Sequence, residues 1–251
     1  MPWRAGSISS SHCDEVGQMQ RVPGFRLGVL VFRDAEIADY AGPCGVFAAA
    51  QRFDPELDVF LIAETARPVA TGAGLTVQPA YSFADRPALH ALVVPGGAGA
   101  RRQMHNSVLH DFVHALPTDC LLASVGTGSW IYGRMGLLDG LPATNRKEPD
   151  RYEVSHLGKS PIDRLAELAP GCRVSRARVV DAGRVITAGG FSAGIELGLH
   201  LLRRAGRDEG FVREVARVME YQRGYECYAH DIEYPAGALP AASRLLQPAS
   251  A

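Results

Sequence analysis

Short apolar runs alternate along the chain with longer segments in which apolar residues recur at helical spacing. The runs predict strands, and the periodic segments predict helices between them. This alternation predicts an α/β fold: a single flavodoxin-like domain built as a three-layer sandwich around a central, mostly parallel sheet. The predicted strands are 26–32, 58–63, 89–94, 121–125, 173–180 and 184–187, with a hairpin over 69–78 and helices over 36–52, 101–116, 162–168, 189–205 and 207–221.

The predicted domain spans residues 25–221. Residues 1–24 lack the apolar stretch of a secretory signal and are interpreted as a disordered N-terminal tail. Residues 222–251 form a C-terminal extension, and its last part, 235–251, is rich in Ala, Pro and Ser and is interpreted as a loose tail. Tyrosines near this end can close a pocket as a lid or pack at a subunit interface: Tyr225, Tyr228 and Tyr234.

Segment 121–144 carries the most specific signal in the chain. An apolar strand breaks at Val-Gly-Thr-Gly and continues as a helix, which is typical of a nucleophile elbow. In such a turn the reactive side chain stands clear of the sheet, and helix amides point at developing negative charge. Gly126 occupies the tip, so this elbow has no nucleophile. Thr127, the next residue, either caps the helix or holds a substrate.

Unusual residues follow three of the predicted strands. Asp39 comes after the first, the turn Gly96, Gly97 and Ala98 after another, and Gly126 and Thr127 after the elbow strand. Because ligands in parallel sheets bind beyond the carboxyl ends of the strands, we expect these residues to form one site. Asp39 can be a helix N-cap, or a buried general acid or base whose pKa is raised by desolvation. The glycine turn can supply free amides to an oxyanion.

Four motifs carry a family resemblance: FRDAEIADYAGPCGVF, LVVPGGAGA, ASVGTGSWIYGRMGLLDGLPAT and ITAGGFSAGIELGLHLL. In order and spacing the chain resembles the ThiJ/PfpI superfamily of class I glutamine amidotransferase-like proteins, most of all its isocyanide (isonitrile) hydratase branch. In those hydratases an Asp, an elbow Cys and the following Thr surround the substrate, and the thiolate attacks the isocyanide carbon. The resemblance implies that Asp39 is the acid and Thr127 the residue after the nucleophile, with Gly126 in place of the cysteine. It also implies a homodimer with the site near the partner subunit.

The chain departs from this family a second time after the elbow helix. Where the family often has Ala-Thr-Thr-His-Trp, this chain reads Ala-Thr-Asn145-Arg146-Lys147. A guanidinium cannot shuttle protons near neutral pH as an imidazole does, but its fixed charge suits a carboxylate, phosphate or enolate. Asn145 and Arg146 are therefore candidate substrate-binding residues, and a solvated surface pair of Arg146 and Lys147 is the alternative. Removal of the elbow side chain is also expected to leave room for a bulkier, anionic or carbonyl-bearing substrate.

Composition narrows the choice of partners. A formal net charge of -1 argues against nucleic acid or a membrane surface as a partner, and no apolar run is long enough to cross a bilayer. Five widely spaced cysteines lack metal-ligand or disulfide patterns, so reduced thiols, a cytoplasmic location and no metal or cofactor are expected. The cysteines other than Cys227 are interpreted as small buried hydrophobes where they lie within the domain.

Three functional hypotheses follow. In the first, the chain is a cysteine-independent enzyme with hydratase or lyase, isomerase or cyclase chemistry, in which Asp39 moves a proton and the amides of Gly97 and Thr127 stabilise an anion. In the second, it is a ligand-binding paralogue without catalysis. In the third, it is an isocyanide hydratase whose nucleophilic cysteine was mutated to Gly126. Turnover of a bound ligand separates the first from the second.

Overall fold

The computed structural model describes residues 21–149, 158–228 and 231–234. Its strands are β1 (Arg26–Leu30), β2 (Asp58–Ala63), β3 (Val69–Ala70), β4 (Thr76–Val77), β5 (Tyr81–Ser82), β6 (Ala91–Val94), β7 (Leu121–Val125), β8 (Pro142–Ala143), β9 (Arg173–Val174), β10 (Val179–Asp181), β11 (Val185–Ala188) and β12 (Ile232–Glu233). Its helices are α1 (Ile37–Ala50), α2 (Ala100–Gln103), α3 (Ser107–His114), α4 (Gly128–Arg134), α5 (Pro161–Leu168), α6 (Ala193–Arg204), α7 (Glu209–Val218) and α8 (Gln222–Tyr228).

Eight of these strands form one sheet in the order β12-β10-β11-β7-β6-β1-β2-β5. Neighbours run parallel throughout, except for the antiparallel pair β10 and β11. The strands β1, β6, β7 and β11 are buried along nearly their whole length, because helices cover both faces of the sheet. This confirms the predicted α/β sandwich with a mostly parallel sheet.

The chain reverses its direction of travel across the sheet at β1. From β1 it adds β2 and β5 on one side, then returns to add β6, β7 and β11 on the other. The carboxyl ends of β1 and β6 therefore flank the crevice in which ligands of open α/β sheets bind. The predicted site residues Asp39 and Gly96 follow these two strands.

Helices α1 and α6 cross at unusually short distance. A Cβ added to Gly42 would lie 3.1 Å from the carbonyl carbon of Gly194, and one added to Gly198 would lie 2.8 Å from Cβ of Val46. The glycines thus let the two backbones approach each other. The crossing holds Asp39, in the first turn of α1, against the loop that leads into α6. Helix α1 runs unbroken through Pro43.

Three predicted elements differ from the observed ones. The helix predicted over 101–116 is two helices, because the Asn106 side chain accepts hydrogen bonds from the amides of Val108 and Leu109 and begins a new helix. The strand predicted over 173–180 is split into β9 and β10, which join different sheets. The helix predicted from residue 189 begins only at Ala193, because Phe191 has a left-handed backbone with φ 55°.

Parts of both predicted terminal segments pack onto the domain. Arg21 pairs with Asp54 at 3.0 Å, and the amide of Val22 donates to the carbonyl of Ala205 at 3.2 Å. At the other end, β12 joins the sheet beside β10. The rest of the predicted tails, 1–20 and 235–251, and residues 150–157 of the polar stretch after Arg146 lie outside the described residues.

Candidate functional site

Asp39 lies at the centre of the site, with its side chain buried and its residue 3% exposed. Its Oδ2 accepts a hydrogen bond from the Gly96 amide at 3.0 Å, and its Oδ1 accepts one from the Phe191 amide at 2.8 Å. The carboxyl group thus joins the turn after β6 to the loop before α6. The N-cap position of α1 belongs to Glu36, so Asp39 is not the cap of that helix.

The environment of Asp39 brings its ionisation close to neutral pH. Burial raises the pKa of the carboxyl to about 7, and the nearby Glu36 carboxylate adds to this rise. The two amide hydrogen bonds and the charge of Arg146 act in the opposite direction and limit it. At neutral pH both forms of Asp39 are therefore populated, as proton transfer in both directions requires.

Gly126 faces Asp39 directly from the elbow. Its φ is 55°, a left-handed conformation that disfavours side chains, and a Cβ added here would lie 2.7 Å from Oδ2 of Asp39. The carboxyl group of Asp39 thus borders the position at which an elbow side chain would begin. The expected room for a bulkier substrate beside Gly126 stays a prediction.

The glycine turn and Thr127 close the site from the other side. A Cβ on Gly96 would lie 2.6 Å from both the amide nitrogen and Oγ1 of Thr127, so only glycine fits there. The amide of Gly97 donates to Oγ1 of Thr127 at 3.0 Å, and Ala98 is exposed at the tip of the turn. The Thr127 hydroxyl therefore braces the turn, and it makes no capping bond to α4.

These bonds change which amides are free for an anion. The Gly96 amide is taken by Asp39 and the Gly97 amide by Thr127, which contradicts the expected oxyanion role of Gly97 in this conformation. Among the described residues, the Thr127 amide donates to no acceptor. It is thus an elbow amide that stays available.

Arg146 and Asn145 occupy different positions. The Arg146 side chain packs on Gly190 and lies with its guanidinium 5.7 Å from the centre of the Phe191 ring, close enough to lower the pKa of Asp39. Asn145 is fully buried beneath the elbow, where its amide donates to Ser129 Oγ at 2.9 Å and its oxygen accepts from the Arg146 amide at 2.6 Å. The Arg146 side chain therefore lies at the site, whereas Asn145 holds the backbone of Arg146 against the elbow helix.

Phe191 is the site residue that the sequence analysis missed. It combines a left-handed backbone with an amide bonded to Asp39, and its ring is 42% exposed beside Arg146. A bulky residue with positive φ is a genuine backbone outlier, and such outliers cluster at functional sites. The preceding Gly189 and Gly190 were the available sequence signal, since paired glycines argue against a helix start.

In the part of the chain that the structure describes, the cysteines within the domain do not supply a substitute nucleophile at the elbow. Burial raises the pKa of the Cys44 and Cys120 thiols to about 12 and also raises that of Cys172. These groups stay protonated, and the thiol is a much weaker nucleophile than the thiolate. Cys227 is exposed on α8. Of the tyrosines expected at a lid or interface, Tyr225 is buried instead, and its hydroxyl donates to Glu209.

A separate cavity of about 410 Å³ opens at the carboxyl ends of β1 and β2. Segment 30–33 lines it, and none of the predicted site residues does. Within the described ranges, no group of three or more His, Cys, Asp or Glu side chains is arranged to hold a metal ion. No helix in that same part of the chain is long and apolar enough to span a membrane.

Comparison with known proteins gives a consistent result. The sequence profile of the DJ-1/PfpI family matches residues 26–204. The isonitrile hydratase of Pseudomonas putida is 32% identical over 177 residues, which cover 70% of each chain. Among solved structures, a ThiJ/PfpI family protein from Pseudomonas syringae has a TM-score of 0.67 at 24% identity, covering 98% of this chain and 93% of that one. Drosophila melanogaster DJ-1beta has a TM-score of 0.65 at 18% identity, covering 78% and 97%.

The matched region includes the strands and turns that build the site, from β1 to α6. A match of this extent, together with a relative above 30% identity, identifies the family: the chain belongs to the DJ-1/PfpI family.

Proposed function

We propose that this chain is a small-molecule enzyme that works without an elbow cysteine and uses Asp39 as its general acid and base. Hydratase or lyase, isomerase and cyclase reactions all fit, because each needs a proton moved and a developing anion stabilised. One observation carries the proposal: a buried carboxyl group with a pKa of about 7 lies directly against the elbow position at which the nucleophile is missing.

The similarity to isonitrile hydratase favours a related reaction on a small substrate. In this chain Gly126 cannot form a covalent intermediate, so the reaction proceeds by proton transfer. The Thr127 amide is the donor we assign to the developing anion, in the role first expected of the Gly97 and Thr127 amides together. Bonds to Gly96 and Phe191 fix the carboxyl group of Asp39, so it need not reorganise during the reaction.

Arg146 is the residue we assign to an anionic or carbonyl group of the substrate. Its half-buried side chain packs on Gly190 beside the Phe191 ring, and its charge is permanent. A charge-assisted hydrogen bond contributes about 1.5–3 kcal/mol. We therefore expect Arg146→Ala to lower the affinity for an acidic ligand by roughly tenfold or more and to leave the affinity for its neutral amide analogue unchanged. An equal loss of affinity for both ligands would show that Arg146 has a structural role.

Turnover measurements on matched variants test the proposal. The substrates are a panel of isocyanides and small carbonyl-bearing acids, offered to the purified full chain. Asp39→Asn is expected to lower kcat by about 10²-fold or more, the usual contribution of general acid–base catalysis. Asp34→Asn is the control, because Asp34 precedes α1 on the same loop but pairs with Arg102 at the surface. Activity that survives Asp39→Asn and is lost on alkylation of Cys44 or Cys227 would refute the proposal.

The second candidate is a ligand-binding protein without catalysis. The closed form of the site favours it, since Asp39, Gly126 and Thr127 are all buried and the elbow offers no reactive side chain. Calorimetry with the same panel separates the two candidates. Tight binding without turnover by the wild-type chain supports the paralogue, whereas turnover that depends on Asp39 supports the enzyme.

A further inference from the structure

The loop 189–192 carries one of the two amides that bind Asp39. The other, that of Gly96, sits in a turn fixed by the packing of β6 against the elbow. Backbone bonds hold the loop itself at two points: the Gly126 amide donates to the Gly189 carbonyl at 3.1 Å, and the Gly194 amide of α6 donates to the Phe191 carbonyl at 3.0 Å. The left-handed backbone of Phe191 is costly for a phenylalanine. Side-chain contacts from outside the loop add to these backbone bonds in holding this conformation.

Arg178 makes those contacts. Its guanidinium donates to Oγ of Ser192 at 3.0 Å and to Oε2 of Glu196 at 2.8 Å, so one side chain ties the end of the loop to the first turn of α6. Its backbone carbonyl accepts from the Gly189 amide at 2.8 Å, at the start of the loop. Arg178 thus binds the loop at both ends.

The surroundings make this anchor rigid. Glu196 is 4% exposed, and its second oxygen accepts from the Tyr221 hydroxyl. The Tyr228 ring of α8 covers the guanidinium of Arg178, with 4.0 Å between the guanidinium carbon and the ring centre. A partly buried, hydrogen-bonded ion pair under an aromatic ring has reduced freedom to move.

We propose that Arg178 is a positioning residue, which fastens loop 189–192 to α6 and so holds the Phe191 amide on the carboxylate of Asp39. It touches neither Asp39 nor the elbow and acts only through the loop. Its importance for catalysis rests on the function proposed above, but its effect on the geometry does not. The other charged groups facing Asp39 are Glu36 and Arg146, and neither is bonded to Arg178.

Amide proton shifts in the ¹⁵N-labelled full chain test the inference. An amide bonded to a carboxyl group follows its ionisation, so the Phe191 and Gly96 protons should titrate together across neutral pH in the wild-type chain. Two variants loosen the anchor: Ser192→Ala removes only the loop contact, and Arg178→Met combined with Glu196→Gln leaves no unpaired buried charge. In both, the titration amplitude at Phe191 should fall at least about twofold as open loop states become populated, while Gly96 keeps its amplitude.

A second cluster of Arg, Glu and Tyr side chains, which includes Arg203 of helix α6, provides the control. Arg203 pairs with Glu209 at 3.0 Å and lies 5.5 Å from the Tyr225 ring centre, with the same chemistry but no contact to the loop. Arg203→Met with Glu209→Gln should leave both amides unchanged. Full amplitude at Phe191 in both anchor variants, or equal loss at Phe191 and Gly96, would overturn the inference. The measurement needs no substrate, so it stands or fails separately from the enzymatic proposal.

Discussion

Substitution of Gly126 by alanine probes the contact on which the site depends. The new Cβ would lie 2.7 Å from Oδ2 of Asp39, closer than real Cβ atoms approach an oxygen, whereas the backbone of Gly190 is at an ordinary 3.5 Å. The carboxyl group therefore has to move, and movement sacrifices its bond from Gly96 or from Phe191. Alanine must also adopt a φ of 55°.

Two costs add up in this variant. A left-handed backbone costs an alanine about 1–2 kcal/mol, and a lost hydrogen bond to a charged group costs about 1.5–3 kcal/mol. We therefore expect Gly126→Ala to lower the free energy of unfolding by about 2.5–5 kcal/mol, measured by urea denaturation at a pH above the pKa of Asp39.

Gly140→Ala isolates the first of these costs. Gly140 has a similar φ of 75°, and a Cβ there would meet nothing within 4 Å. Its expected cost is the backbone penalty alone, about 1–2 kcal/mol. Equal destabilisation by the two substitutions would show that the Asp39 carboxyl group does not border the elbow position, and would refute the reasoning.

Three further predictions concern the site and its support. Because Asp39 keeps its proton up to a pH of about 7 when folded but loses it near 3.8 when unfolded, stability should fall by about 1.4 kcal/mol per pH unit between these values. Asp39→Asn should abolish that slope in denaturation curves, and an unchanged slope would assign it to other groups. Gly126→Cys should not hydrate isocyanides, because its side chain must displace Asp39; recovered activity would favour a hydratase that lost its cysteine. Asn145→Ala should cost about 1–3 kcal/mol of stability, because the Arg146 amide loses its acceptor and the Ser129 hydroxyl loses the amide that donates to it; a neutral effect would show that these groups find other partners.

The sequence predicted the sheet and the convergence of the site because both follow from local signals. The apolar run of β7 ends at a glycine-rich turn, and parallel strands bring such turns to one edge. The identity of the residue facing the elbow was harder to predict. Whether Asp39 capped its helix or turned inward depends on the close crossing of α1 and α6, a tertiary feature that no local pattern reports.

The missed features share a physical cause. Phe191 lies in a segment with helical periodicity, but its backbone is held left-handed by contacts to Asp39 and its neighbours. Tertiary contacts here override local propensity. The break at Asn106 had a readable signal, because asparagine before a serine is a common helix start. The contact between Gly126 and Asp39 had no such sequence signal, because it joins residues that are far apart in the sequence.

The ionisation of Asp39 tests the central claim most directly. A ¹³C titration of aspartate carboxyl carbons in the full chain, with Asp39→Asn to assign the resonance, gives its midpoint without any substrate. We expect a midpoint near a pH of about 7, because burial beside Gly126 disfavours the charged form. A midpoint near the ordinary aspartate value of 3.8 would mean that the group is a permanent carboxylate at neutral pH, and would contradict its role as a proton carrier.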